Sequence, residues 1–356
     1  MKIKSIRPYL KKLALTKPYT IAYDTFYDVE LVFLEITLEN GIIGIGSASP
    51  AEEVIGENSQ QTLQNLQTEF IQNLVGRDIR HFQQIIFETN QYFVHLPGTQ
   101  AAVDIALHDA FGKYLGISVA EFYGQKIKSL PTSVTIGIMN VEETLEEAKN
   151  FHKLGFKVLK VKTGIDVEED IERILRLDEL YKTQLKIRVD ANQGYSLVQL
   201  QQFIKATQKA AIELIEQPLP VGNETELAIL TASHRKILTG DESLKNAHYA
   251  LKFSSEPQPF GIYNIKLMKC GGIMGAKEIA TIAQNANIDL FWGCNDESIV
   301  SITAALHVAY SCSNTKYIDL DGSFDLAEDL VTGGFSLENG YMKISDKAGF
   351  GFEIMY

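Results

Sequence analysis

The chain has 356 residues, a formal net charge of -12 and three cysteines, Cys270, Cys294 and Cys312. That length is too great for one ordinary core and suits a barrel joined to a second domain, while the acidic balance without Lys/Arg clusters argues against nucleic acid or an anionic membrane as partner. The odd cysteine count without CxxC spacing argues against a disulfide framework or structural zinc, and the start MKIKSIRPYL has no apolar signal core, so a reducing, cytoplasmic setting is expected.

Residues 28–39 alternate as a strand, Asn40-Gly41 reads as a type I′ hairpin turn, and 42–48 return as a second strand. Helical periodicity follows over 59–75, 80–94 and 98–115, the last stopped by Gly116. These elements predict an α+β domain over 1–125. After Leu130-Pro131, strands and helices alternate. Strands are predicted at 133–138, 157–162, 186–190, 212–216, 237–241, 261–266, 290–293 and 317–321. Helices are predicted near 142–154, 167–182, 196–209, 224–233, 245–253, 273–286 and 297–311. Eight strands separated by helices predict an α/β barrel domain over 126–324, with 325–356 expected to pack back on the first domain.

Charged residues ride on those strands at a nearly constant interval. From Lys160 the steps to Asp190, Glu216, Asp241 and Lys266 are 30, 26, 25 and 25 residues, the length of one strand, one helix and two short loops. In a barrel the C-terminal strand ends share one rim, so these residues become neighbours there. Period 2 puts Val158, Lys160 and Lys162 on one face, and the same rule aligns Arg188, Asp190 and Asn192, Leu214 and Glu216, Asn264 and Lys266, and Asp319 and Asp321. Three converging carboxylates, Asp190, Glu216 and Asp241, repel one another unless a cation neutralises them. Oxygen ligands without histidine or cysteine favour Mg²⁺, with Mn²⁺ as a substitute.

A carboxylate bound to such a cation loses electron density, and its α-proton becomes acidic enough for a neutral lysine to remove as an enediolate forms. A neighbouring cation lowers a lysine's pKa, and Lys160 beside Lys162 is such a neighbour. Lys266 lies four strands from Lys162, across the rim, so the two can serve opposite faces of one carbon and invert it. A Schiff-base aldolase would fit one lysine but leave the three acids without a task, and a barrel that only binds a ligand would need neither lysine.

At this point the motifs resemble a known family. Lys160-Val161-Lys162, Asp190-Ala191-Asn192, Ile215-Glu216-Gln217-Pro218, Gly240-Asp241-Glu242-Ser243 and Asn264-Ile265-Lys266-Leu267 resemble the muconate-lactonizing subgroup of the enolase superfamily, over essentially the whole chain. The resemblance implies a modified TIM barrel, (β/α)7β, under an α+β capping domain, with Lys162 and Lys266 as bases and Asp190, Glu216 and Asp241 on Mg²⁺. Asp319-Leu320-Asp321 resembles the dipeptide epimerases, where this pair holds the substrate's α-ammonium group. By the same resemblance Thr135 and Lys160 would contact the substrate's carboxylate end, and Cys294 would line the pocket through its backbone. Cycloisomerases and o-succinylbenzoate synthases of the subgroup share the lysines and the metal site and stand as the alternative. Where members acting on alanyl-glutamate carry an arginine, this chain has Asp24, which would repel a glutamate side chain. The expected substrate is therefore a dipeptide with a cationic or neutral side chain. Asp296, Asp325 and Asp329, placed near the rim, tilt the expectation to cationic. The expected partner is that small molecule, with homo-oligomerisation left open.

Overall fold

The computed structural model describes residues 1–21 and 24–355, and the side chains of 1–16 and 27–355. The chain opens on β1 (Ile3–Ile21), paired antiparallel with β2 (Asp24–Leu38), which pairs with β3 (Ile43–Ala48). Alternation alone misses β1, because Pro8 and the Lys11-Lys12 pair interrupt the pattern. At a sheet edge Pro8's missing N–H costs no ladder bond. The turn after β2 is not type I′. Gly41 (φ 87°) takes the left-handed conformation and Asn40 does not, while the Asn40 side chain accepts from the Ile42 N–H at 3.2 Å. Leu38 N–H donates to Ile42 O at 2.8 Å, closing a three-residue loop that needs only one positive φ.

The helix expected over 59–75 is two short ones, Ser59–Leu66 and Glu69–Gln72, since Thr68 between them is extended and its hydroxyl donates to Asn65 O at 2.7 Å. Then come α1 (Phe82–Tyr92), α2 (Pro97–Leu115) and α3 (Val119–Tyr123). The α2 helix lies almost in van der Waals contact with β3. A Cβ at Gly46 would stand 1.9 Å from Ala102 O, so glycine there sets the distance of closest approach.

The barrel elements are β4 (Ser133–Ile136), α4 (Val141–Lys153), β5 (Val158–Lys162), α5 (Val167–Tyr181), β6 (Lys186–Asp190), α6 (Leu197–Thr207) and β7 (Ile212–Glu216). They continue with β8 (Leu238–Gly240), α7 (Ala247–Phe253), β9 (Ile262–Ile265), α8 (Leu267–Cys270), α9 (Ile273–Asn285), β10 (Asp289–Trp292), α10 (Ile299–Ser311) and β11 (Thr315–Ile318). Between β7 and β8 the helical pattern near 224–233 resolves into a 3-10 segment, Glu224–Ile229, and a single turn, Ala232–Arg235. Strong start signals fix the longer helices: Asn140 with Glu143, and Ser196 with Gln199, form capping boxes before α4 and α6. The strand order runs from β4 to β11 without crossover, and a parallel bridge between Thr132 and Ile318 joins the two ends. This is a modified TIM barrel, (β/α)7β, with a capping domain. Inside it Leu214, Ile262 and Phe291 pack with Tyr317, and the Arg188 guanidinium lies 5.3 Å over Phe291 and 5.2 Å over Tyr317, closing the floor.

Four further strands, β12 (Val331–Gly333), β13 (Phe335–Glu338), β14 (Tyr341–Ile344) and β15 (Phe352–Ile354), make two small sheets, and β14 also pairs with Leu130–Pro131. The tail reaches the N-terminal domain as well: Ala327 N–H donates to Ala14 O of β1 at 2.8 Å, and Phe350 N–H to Asp109 Oδ1 of α2 at 3.1 Å. Buried side chains are among the ties between cap and barrel. Asp104 of α2 accepts from the Ile273 and Met274 N–H groups that start α9, at 3.1 and 3.0 Å, and His307 Nδ1 of α10 accepts from Ala120 N–H of α3 at 3.1 Å. Among the described residues no helix is long and apolar enough to cross a membrane.

Candidate active site

Strand register builds the rim. Lys162 stands opposite Asp190, and Asp190 opposite Glu216, so three neighbouring strands bring a lysine and two carboxylates level. Asp241, Lys266 and Asp319 each lie one residue past the ends of β8, β9 and β11, where the chain turns into its loops. All four acids are buried. A cavity of about 1220 Å³ opens over them between barrel and cap; Lys160, Lys162, Lys266, Asp319, Asp321, Thr135 and Cys294 line it.

Lys160 occupies the centre. Its Nζ lies 3.0 Å from Asp190 Oδ2, 2.9 Å from Glu216 Oε2 and 2.9 Å from Asp319 Oδ2. Burial alone would lower its pKa, but Asp190, Asp319 and Glu216 outweigh that and hold the ammonium well above the ordinary lysine range. Lys162 Nζ donates to Asp190 Oδ2 and Asn192 Oδ1, both at 2.8 Å. Across the rim Lys266 Nζ sits 3.1 Å from Asp241 Oδ2, and Lys269 of α8 donates to Asp241 Oδ1 and, at 2.6 Å, to its carbonyl. At Lys266 burial and the charge of Lys160 pull the pKa down, but the Asp241 carboxylate outweighs both, so the amine is held above its ordinary value.

The three carboxylates are unequal. Asp190 faces Lys160 and Lys162, Asp241 faces Lys266 and Lys269, and these pairs overcome burial to keep both acids well below the ordinary carboxylate range. Glu216, between them, is pushed up to about 8 by burial and by Asp190's charge, against Lys160. Its Oε1 accepts from Asn264 Nδ2 at 2.5 Å, and its Oε2 forms an ion pair with the Lys160 ammonium at 2.9 Å. Among the described residues, no three acidic, histidine or cysteine side chains are already gathered at metal-ligand spacing. The donor chemistry still fits a hard divalent cation, because three carboxyl groups stand on adjoining strand ends and the middle one, with one lysine beside it, is held above its ordinary pKa for want of further positive charge.

At the other side, Asp319 Oδ1 accepts from Ser133 Oγ at 2.5 Å, and Asp321 Oδ2 accepts from both the N–H and the hydroxyl of Thr135 at 3.1 Å. Burial and then Asp319's charge push Asp321 up to about 8, whereas Lys160 and Ser133 overcome burial to hold Asp319 below its ordinary value, so Asp321 is the member short of positive charge. Cys294 Sγ donates to Asp319 O at 3.3 Å, and burial pushes its thiol well up, leaving it inert. The side chain of Asp24 lies outside the described residues. Asp296 and Asp325 line the cavity, and burial followed by Asp325's charge raises Asp296 to about 6. Asp329 does not line it. It accepts from Ser298 Oγ at 2.8 Å and Ile299 N–H at 2.7 Å, serving the open N-terminus of α10.

Two site residues escape the sequence reading. Lys269 follows Lys266 by one helical turn, a spacing that could have flagged it. Gln217 (φ 34°) directly follows Glu216, and its Oε1 accepts from the N–H groups of Asp241 and Ser243 at 3.0 and 3.1 Å, setting where Asp241 stands.

Comparison with known proteins places this geometry in context. Residues 7–124 match the mandelate racemase/muconate lactonizing enzyme N-terminal domain, and residues 143–355 match the enolase C-terminal domain-like family. An L-Lys-D/L-Arg epimerase of Desulforapulum autotrophicum is 49% identical over 351 residues, 99% of each chain. A hydrophobic dipeptide epimerase of Enterococcus faecalis is 32% identical over 353 residues, again 99% of each. The crystal structure of a dipeptide epimerase from Methylococcus capsulatus, complexed with Mg and L-Arg-D-Lys, superimposes with a TM-score of 0.96 at 43% identity, covering 100% of both chains.

Proposed function

Because this chain belongs to the mandelate racemase/muconate lactonizing enzyme family, as a dipeptide epimerase of the enolase superfamily, we propose that it epimerises dipeptides with cationic side chains at the α-carbon of the C-terminal residue. The observation that carries the reaction is the pair Lys162 and Lys266, both lining one cavity from strand ends four apart. Lys162 takes or returns the α-proton on one face, and Lys266 does so on the other. Asp190, Glu216 and Asp241 would hold Mg²⁺, or Mn²⁺ in its place, which supplies positive charge to the substrate's carboxylate and acidifies the α-proton. Lys160 and Thr135 reach the carboxylate end, and Cys294 lines the pocket beside them. Asp319 and Asp321 take the α-ammonium group, whose charge offsets the repulsion between them.

The cationic preference rests on the cavity wall. Asp296 and Asp325 stand there with Glu30, Glu53 and Asp28, the last paired with Lys12 at 3.2 Å, so away from the lysines at the strand ends the acids outnumber the cations and favour a lysyl or arginyl side chain over a glutamyl one. The relative at 49% identity, named an L-Lys-D/L-Arg epimerase, supports the same choice. Asp24 is assigned to this wall by sequence alone. A dipeptide library incubated with enzyme and Mg²⁺ in D₂O, read by mass increase and chiral separation, tests the reading. Deuterium should enter Lys- and Arg-containing dipeptides ahead of Ala-Glu, and a preference for Ala-Glu would overturn it.

A further inference from the structure

Behind Lys162, on the side away from the cavity, lies a buried polar network with no part in the proton transfer itself. Asp170 and Arg173, one turn apart near the start of α5, form an ion pair at 2.5 Å, and both are buried with Tyr195. The network holds the backbone at the end of β5. Arg173 Nη2 donates to the carbonyl of Lys162 at 3.0 Å, Asp170 Oδ2 accepts from the N–H of Gly164 at 2.8 Å, and the Tyr195 hydroxyl donates to the same oxygen at 2.7 Å. The turn so held has no slack on its other side: Thr163 N–H donates to Asp190 O at 2.8 Å, and a Cβ at Gly164 (φ 106°) would stand 2.4 Å from Ala191 O. The two peptide groups that follow Lys162 are therefore pinned to fixed points, at the end of β6 and on α5.

We infer that Asp170, Arg173 and Tyr195 are positioning residues for Lys162, fixing the direction of its side chain and so the efficiency of proton transfer on one face of the α-carbon only. This rests on Lys162 being one of two bases. A buried charged pair is not explained by stability, since replacing such a pair with apolar groups of similar size is often neutral. What the pair adds here is two directed hydrogen bonds onto the two peptide groups that follow a residue whose aim matters, where a displacement of an ångström can cost on the order of 100-fold in rate. Lys266 makes no contact with this network, and its own support comes from Asp241, α8 and the cap.

The test is face-resolved exchange. Wild type and the variants Lys162→Ala, Lys266→Ala, Asp170→Asn, Arg173→Met, Arg173→Lys and Tyr195→Phe are incubated with Mg²⁺ in D₂O, separately with L-Lys-L-Arg and L-Lys-D-Arg, and initial deuterium incorporation is measured for each epimer. Lys162→Ala identifies the epimer whose proton Lys162 removes. For that epimer Asp170→Asn and Arg173→Met should slow exchange on the order of 10- to 100-fold, with Arg173→Lys and Tyr195→Phe intermediate, and exchange of the other epimer should stay within about twofold of wild type. Equal losses on both epimers, or none on either, overturn the inference, and Tyr195→Phe, which removes one hydroxyl, decides it by the same criterion if Arg173→Met does not fold. If Lys162→Ala itself shows no preference between epimers, the two-base reading fails first, a result distinguishable from failure of the network alone.

Discussion

The two lysine-bearing strand ends solve the same problem with different supports. Lys162 ends β5 with its side chain 31% exposed, shares its ammonium between Asp190 and Asn192, and is braced from within the barrel by α5. Lys266 begins the loop after β9 with its side chain 16% exposed, against an Asp241 that Lys269 grips from the other side. The segment that follows it is tied to the capping domain through Asp104. One lysine thus rests on a helix and a strand of its own barrel, the other on a segment tied across the interface between domains. The comparison also explains the uneven carboxylates: each flanking acid answers two lysines, and Glu216 between them answers only Lys160 among the lysines within ion-pair distance.

The largest effect should come from removing either base. Lys162→Ala and Lys266→Ala should each lower epimerisation by at least about 10²-fold in both directions, while solvent exchange survives on opposite epimers. Small and equal effects in the two variants would erase the distinction between the ends.

Metal removal should show which carboxylate needs outside charge most. Chelation should abolish turnover, and restoring Mg²⁺ at about a hundred times its Kd should stabilise the wild type by about 2.7 kcal/mol. Glu216→Gln should lose most of that gain in thermal denaturation while retaining the fold. An unchanged Mg²⁺ response in Glu216→Gln would remove this residue from the metal set.

Cutting the tie on the Lys266 side should be felt in stability first. Asp104→Ala strands the N–H groups of buried Ile273 and half-buried Met274 at the start of α9, and a buried unsatisfied donor costs about 1 to 3 kcal/mol. Urea unfolding measures the loss, and face-resolved exchange should then fall more for the epimer served by Lys266 than for the one served by Lys162. A variant as stable as wild type would show that the cap does not brace this end.

The smallest effect concerns pH at the same interface. Burial pulls His307 down to about 3, below an unfolded value of about 6.5, so the unfolded chain protonates first. The stability tied to neutral His307 is complete above about pH 6.5 and is lost as pH falls towards 3, with a slope of up to about 1.4 kcal/mol per pH unit. Between about pH 7 and about pH 5 the wild type should lose stability more steeply than His307→Gln. Parallel profiles would exclude His307 as the source.

Much of the barrel was legible because alternation and helix caps are local. Asn140 and Ser196 announce their helices within four residues, and the period of 2 in 157–162 puts both lysines on the inner face whatever surrounds them. Elements whose logic is long-range were missed. The edge position of β1 tolerates Pro8 only because its partner lies on one side, and β14 pairs with Leu130–Pro131 from more than two hundred residues away. Asp329 has the composition of a rim acid, yet the nearest unmet donors were those of α10, and it went there.

For the site, the spacing of Lys160, Asp190, Glu216, Asp241 and Lys266 already determined that these residues converge, since one strand-helix unit returns the chain to the same rim. Which charges pair was settled only by closure of the barrel. Lys160 reaches Asp319, 159 residues away, because β4 and β11 meet at Thr132 and Ile318. Lys269 reaches Asp241 because α8 turns back under β9. Backbone sterics act over a few residues and leave a readable period, whereas ion pairing falls off within a few ångströms and depends on where the folded chain puts each atom.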